Sequence, residues 1–210
     1  GNDKDAAEVI AAKAKELGSP AYKVIQAGAK VLGNNKDGID FSLEDDYYGD
    51  TRFHIPFIAW YQVMNASLAL TTMEVLKDRI PVTMEQLQAG IANTRWQGRM
   101  ETILPGVIVD GAHNEDGVRR FVETAERFQK EYPLTLLFSA VNDKDYQDMI
   151  HTICSRIKFR KVVTTEVGGY REVPSAELAE IFCKEGCKDV GNSDNIEEAF
   201  HMAHEAKGED

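Results

Sequence analysis

From Gln97 onward, short apolar runs alternate with helical patterns, and this alternation constrains the fold more than any other feature of the chain. "GVIVD" precedes a helix over residues 115–130, "LTLLFSA" precedes one over 146–156, and "KVVTTE" precedes one over 175–184. Parallel strands need a crossover long enough to hold a helix, so this order predicts a mainly parallel sheet with helices across its faces. Ligands of such sheets gather beyond the carboxyl ends of the strands. The expected functional edge is therefore residues 110–113, 139–144 and 165–170.

The first part of the chain has a different rhythm. "DAAEVIAAKAKELG" reads as a helix closed by Gly18, and "SPAYKVI" as a turn followed by a strand. "IDFSLEDDYYGDTRFHIP" reads as a hairpin-like passage, with Gly49-Asp50 at the turn and Pro56 ending the second strand. An amphipathic helix, "WYQVMNASLALTTMEVL", follows, then a shorter one in "TMEQLQAGIANT" with Thr83 as its N-cap. The fold class is α/β: an α+β unit over residues 1–96, then a mainly parallel sheet flanked by helices over 97–210.

A chain of 210 residues can bury one good core or two small ones. Its formal net charge of -11 argues against nucleic-acid binding, which needs clustered Lys and Arg to neutralise phosphates. The apolar runs fall far short of the roughly 20 residues of a membrane span, and the first residues are not signal-like. A cytoplasmic protein is expected. The three cysteines, Cys154, Cys183 and Cys187, lack Cys-x-x-Cys spacing and fit reduced structural thiols. Neither Cys183 with Cys187 nor His201 with His204 has the partners of a metal site, and no metal ligand is expected in the chain.

"VIVDGAHNEDGVRRFVETAERF" passes from strand to helix almost without a loop. Gly111 permits a tight turn, Asn114 is an N-cap, and Glu115 and Asp116 complement the positive end of the helix. Capping does not explain Asp110 and His113. A carboxylate and an imidazole at a sheet mouth can orient one another and meet a ligand, or serve local structure alone. "KVIQAGAKVLGNN" holds the glycine frame of a phosphate loop, Gly28-x4-Gly33, but Asn34 and Asn35 stand where Lys and Ser or Thr are needed. Residues 28–35 are expected to be a strand-to-loop passage with Gly33 in a turn.

Three stretches in order, "WYQVMNASLALTTMEVL", "TRWQGRME" and "VIVDGAHNEDG", resemble later segments of folylpolyglutamate synthase and its bifunctional dihydrofolate synthase relatives in the Mur ligase superfamily. "AEVIAAKAKELGSPAY" and "NDKDYQDMI" extend the similarity over nearly the whole chain. The resemblance implies that residues 1–96 are the tail of a central ATPase domain. It implies that 97–210 are a Rossmann-like C-terminal domain with its last strands truncated. Gly1 then reads as an artificial start, with the P-loop and metal ligands lying upstream of it. It also implies a monomer using ATP and magnesium to join L-glutamate to folate or dihydropteroate, and an isolated fragment without activity. By the same resemblance Asn65 contacts adenine, with Gln62 one turn earlier; Arg99 reaches the nucleotide; and Asp110 and His113 face ATP as catalytic and nucleotide-binding groups. The chain departs from the family at Ala59-Trp60-Tyr61, where Gly-x-His is usual, and at Gln97 and Glu115, where Pro is common. A Mur-type cell-wall ligase and a non-catalytic α/β binding module are the alternative readings.

Overall fold

The computed structural model describes residues 4–24, 28–35 and 37–208, and of Lys4 and Asp5 only the backbone. Helix α1 (Lys4–Glu16) is followed by Gly18 at φ 64°, as its sequence predicts. The strand expected in "SPAYKVI" does not form over 19–24, and Ile25 lies outside the described residues.

An antiparallel sheet follows, in the order β1 (Ala29–Asn35), β2 (Gly38–Leu43), β3 (Phe53–Ile55). The pairing of β2 with β3 is the hairpin-like passage expected around Gly49. Strand β1 corrects the expected loop: residues 29–35 pair with β2 except at Leu32, where the register shifts, and Gly33 sits in the strand opposite Asp40. The inward alternation of Ala29, Val31 and Gly33 was hidden by Leu32, an apolar residue on the outer face that is 45% exposed. At Gly38 a side chain is impossible without rearrangement, because an added Cβ would lie 2.1 Å from the Ile55 carbonyl oxygen. Glycine there lets β3 close against β2.

Helix α2 (Tyr61–Leu76) lays Val63, Ala66 and Leu70 on Ile39, Phe41, Phe53 and Ile55, forming the first core. The buried Tyr48 hydroxyl donates to the Leu70 carbonyl at 2.6 Å, pinning the β2–β3 connection to the helix. The helix is less one-sided than expected, since Leu68 and Val75 are exposed on its other faces. Helix α3 (Met84–Ala92) begins in a full capping box between Thr83 and Gln86.

The second core surrounds a parallel sheet in the order β6 (Leu134–Phe138), β7 (Phe159–Thr164), β8 (Val190–Asn192). On one face, α4 (Glu115–Phe128), α5 (Tyr146–Arg156) and α6 (Ser175–Lys184) bury Val118, Val122, Ile150, Ile153, Leu178 and Phe182 against Leu136 and Val162. On the other, α7 (Ile196–Lys207) covers Val163 with Ala199 and Ala203. The adjacent Val162 and Val163 thus serve opposite faces, as the strand period of two requires. His201 and His204 are exposed on α7.

One strand is not where the alternation places it. "GVIVD" contributes β5 (Val107–Val109), which pairs antiparallel with β4 (Glu101–Leu104) in a separate two-stranded sheet. The Pro105-Gly106 turn, with Gly106 at φ 69°, makes the two a hairpin. Asp110 therefore ends a hairpin and does not sit at the mouth of the parallel sheet. Among the described residues, no helix is long and apolar enough to cross a membrane.

Candidate functional site

The segment between the two cores is built around a small hydrogen-bonded bracket. Gly98 at φ 66° and Met100 at φ 48° both adopt the left-handed conformation, a rare state for a residue with a side chain. Three bonds hold it there. The Gly98 N–H donates to Glu101 Oε2 at 2.8 Å, the Met100 N–H to Asp110 Oδ2 at 3.0 Å, and the Gly111 N–H to the Gly98 carbonyl at 2.7 Å. Met100 is also buried. Arg99 stands between the two left-handed residues, and its guanidinium lies 5.6 Å from the centre of the Trp96 ring, a cation–π distance.

Asp110 has a second local bond, accepting from the Ala112 N–H at 2.8 Å. Its carboxylate is thus engaged by backbone from both sides. Burial pushes its pKa above the usual value, against the lowering influence of those two N–H groups and of Arg99. His113 is exposed and does not pair with Asp110; its Nδ1 lies 2.8 Å from the Gly111 carbonyl oxygen. A carbonyl can only accept, so Nδ1 carries the proton and Nε2 is the atom left for a ligand. The mutual orientation of Asp110 and His113 expected from their spacing is replaced by separate backbone contacts. Gly111 also differs from expectation: the left-handed turn residues lie across from it, at Gly98 and Met100. Asn114 caps α4 as predicted, accepting from the Gly117 N–H at 2.8 Å.

The bracket forms one wall of a cleft of about 340 Å³, and the start of α2 forms the other. Gln62, Asn65, Arg99, Asp110 and His113, the five residues singled out in the sequence, all line it. Asn65 Nδ2 donates to Gln62 Oε1 at 2.7 Å, joining the two amides into one unit. Trp60, Tyr61, Trp96 and Arg120 also line the cleft and carried no role in the sequence reading. Tyr61 has its pKa raised by burial and then by the charge of Asp110, against Arg99 and Arg120, which places the phenol among these charges. Arg120 follows Asp116 by one helical turn, the spacing that brings two side chains to one face of α4. The loops at 139–144 and 165–170 do not reach the cleft. The first is tied to the chain just after the second: the Asn142 N–H donates to the Arg171 carbonyl, and the Arg171 guanidinium pairs with Asp143 at 2.9 Å.

The thiols also differ from their sequence pairing. Cys154 on α5 and Cys187 beyond α6 approach within 3.7 Å, while Cys183 is exposed. Burial pushes the Cys154 thiol up to about 12, so it stays protonated at neutral pH.

The cleft, lined by two guanidinium groups, an amide pair and aromatic rings, takes its walls from the α+β unit and from the segment that leads into the parallel α/β unit. Residues 98–210 match the Mur ligase, glutamate ligase domain, and the chain belongs to that family. It is 36% identical over 126 residues to the dihydrofolate synthase/folylpolyglutamate synthase of Bacillus subtilis (strain 168), covering 57% of this chain and 29% of the relative. It is 32% identical over 98 residues to a probable bifunctional folylpolyglutamate synthase/dihydropteroate synthase of Haloferax volcanii, covering 46% of this chain and 11% of that one. Among solved structures, the Mycobacterium tuberculosis folylpolyglutamate synthase complexed with ADP and AMPPCP superposes with a TM-score of 0.79 at 22% identity, over 97% of this chain and 46% of that one. The chain therefore spans less than half the length of each of these relatives.

Proposed function

We propose that this chain supplies the nucleotide-facing wall of an ATP-dependent ligase that joins L-glutamate to folate or dihydropteroate, with residues 1–96 closing a central domain and 97–210 forming the C-terminal one. The observation that carries the reading is the gathering of Gln62, Asn65, Arg99, Asp110 and His113, from separate segments, onto one cleft. ATP, when bound, supplies the phosphoryl group that activates a substrate carboxylate as an acyl phosphate for attack by the amine of glutamate.

Each residue has a task in this reading. Among the described residues, the Gln62–Asn65 amide unit keeps the Asn65 carbonyl and its remaining N–H groups without partners, the complement of an adenine edge. Arg99 brings a permanent charge to phosphate or ribose oxygens, and the left-handed residues on either side fix where that charge enters. His113 offers Nε2 to the same ligand. Asp110 acts through the backbone of Met100 and Ala112, and is a positioning residue for Arg99. Among the described residues, no group of three or more His, Cys, Asp or Glu could hold a metal ion.

Two measurements test the reading. In a chain extended to the length of the relatives, ATP-dependent addition of L-glutamate to a folate is expected. Addition of other amino acids to a nucleotide-sugar peptide in its place would favour the cell-wall alternative, and neither activity would favour the binding module. In the 210-residue chain alone, magnesium-dependent ATP turnover is expected to stay at background, because Asn34 and Asn35 occupy the key positions of its single phosphate-loop-like stretch. Turnover above a heat-inactivated control would overturn that part.

A further inference from the structure

The chain contains two tryptophans, and both line the cleft. Trp60 is 37% exposed and Trp96 is 59% exposed. Large aromatic rings left in water forgo much of their burial energy, and two of them in one concave site are more informative than scattered exposed apolar residues. Neither indole N–H has a hydrogen-bond partner among the described residues. Trp60 stands at the N-cap of α2 without a side-chain cap bond, so helix capping does not account for it. Trp96 has one contact of note, the Arg99 guanidinium over its ring at 5.6 Å.

We infer that Trp60 and Trp96 form an aromatic clamp for the flat purine base of the bound nucleotide, and that they set the chain's preference for a base-bearing ligand over a bare sugar phosphate. The inference rests on the nucleotide reading of the cleft and names the part of the ligand each wall receives. Three neighbours select a base as the occupant. The Gln62–Asn65 amide unit on the same wall as Trp60 provides edge recognition, and stacking provides none of its own. Arg99 and Arg120 supply cations for the phosphate end, leaving the rings for the uncharged end.

The test uses the 210-residue chain, adenosine 5′-monophosphate as the base-bearing probe and ribose 5-phosphate as the probe without a base. The two indole N–H resonances in an NMR titration report the two rings separately. Both are expected to shift with the nucleotide; with the sugar phosphate Trp60 should stay in place and Trp96, which Arg99 contacts, should shift less than with the nucleotide. Trp60→Ala and Trp96→Ala are each expected to weaken nucleotide binding by roughly five- to 150-fold, the cost of losing one stacked base face. Trp60→Phe and Trp96→Phe should restore most of the loss, and ribose 5-phosphate should bind all variants alike. Nucleotide binding that is unchanged in the Ala variants overturns the clamp and leaves the nucleotide reading standing. Equal losses for both probes also overturn it, because the rings would then be shaping the cleft as a whole. If the parent chain shows no nucleotide binding by calorimetry, the clamp and the nucleotide reading of this cleft fall together.

Discussion

On the helix side of the cleft, Trp60, Tyr61, Gln62, Met64 and Asn65 come from little more than one turn of α2, and none carries a charge at neutral pH. On the opposite side, Arg99, Asp110, His113, Asp116 and Arg120 come from two turns and a helix, and every one is titratable or charged. The helix wall is positioned by a core: Val63, Ala66 and Leu70 hold α2 on the antiparallel sheet, and the wall residues follow. The charged wall is positioned by hydrogen bonds, with two left-handed residues held by Asp110, Glu101 and Gly111. The difference teaches that the helix wall depends on packing that many apolar residues can provide, while the charged wall depends on a few irreplaceable backbone contacts. Substitutions can separate the tips of the charged wall, which the proposed function sets against a ligand, from its bracket, which holds the tips.

The largest expected effect is at the tip. Arg99→Ala removes a permanent cation whose guanidinium contacts Trp96 and has no hydrogen-bond partner among the described residues. Glutamate addition by the extended chain should fall about 100- to 1,000-fold, equivalent to about 2.7–4 kcal/mol of lost charge stabilisation. Thermal unfolding of the 210-residue chain should barely change. A variant that unfolds early with intact turnover would make Arg99 part of the bracket and erase the distinction.

Asp110→Asn attacks the bracket itself. Its Oδ1 could still accept from Ala112, but the Nδ2 group would then face the Met100 N–H as donor against donor. A loss of about 1–3 kcal/mol in stability is expected from the unpaired groups. Nucleotide affinity should fall as well, because Arg99 loses its fixed entry. Denaturant unfolding and calorimetric titration on the same protein check both halves. A drop in affinity without a drop in stability would promote Asp110 to a ligand contact.

His113→Ala reverses that pattern. The side chain is exposed and its one bond is to the nearby Gly111 carbonyl, so stability should hold within roughly 0.5 kcal/mol. Turnover in the extended chain should still fall about tenfold, or about 1.4 kcal/mol in the barrier. Unchanged turnover alongside a clear loss of stability would remove His113 from the site.

The same contrast explains what could be read from the sequence. The parallel unit was legible because its strands and helices are short, regular and separated by clear turns. Pro105-Gly106 was the missed signal that turned "GVIVD" into a hairpin partner of Glu101–Leu104. Strand β1 was obscured by exposed Leu32, whose environment no local pattern reveals. The candidate site residues came from the resemblance, and they do converge on one cleft; Asp110 and His113 also stood out by spacing. Their partners could not be foreseen. That Asp110 would bond Met100, ten residues earlier, depends on the hairpin register, and Trp60, Trp96 and Arg120 come together only where the start of α2 faces the segment around Arg99 and helix α4 across the cleft.

The smallest expected effect is a pH dependence with opposite signs on two aspartates, one in each unit. Asp40 on β2 has its pKa held below the usual 3.8 by hydrogen bonds from Arg52 at 2.6 Å and His54 at 2.9 Å. A lowered pKa means the ionised form belongs to the fold, so its contribution is present above 3.8 and is lost as pH falls through the depressed value. Asp110 is raised above 3.8, chiefly by burial. Its contribution is complete below 3.8 and is lost as pH rises through the raised value. Unfolding midpoints of the parent, Asp40→Asn and Asp110→Asn, followed from neutral pH into acid, should therefore diverge. The parent's advantage over Asp40→Asn should shrink as the pH drops past 3.8, while its advantage over Asp110→Asn should grow on the way down to that value. The Asp40 effect is the more easily screened, since Arg52 is 63% exposed, and added salt should flatten it first. Parallel curves for the two variants would mean that the Asp110 carboxylate is as well solvated as a surface one, and that hydrogen bonding to Met100 and Ala112 outweighs its burial.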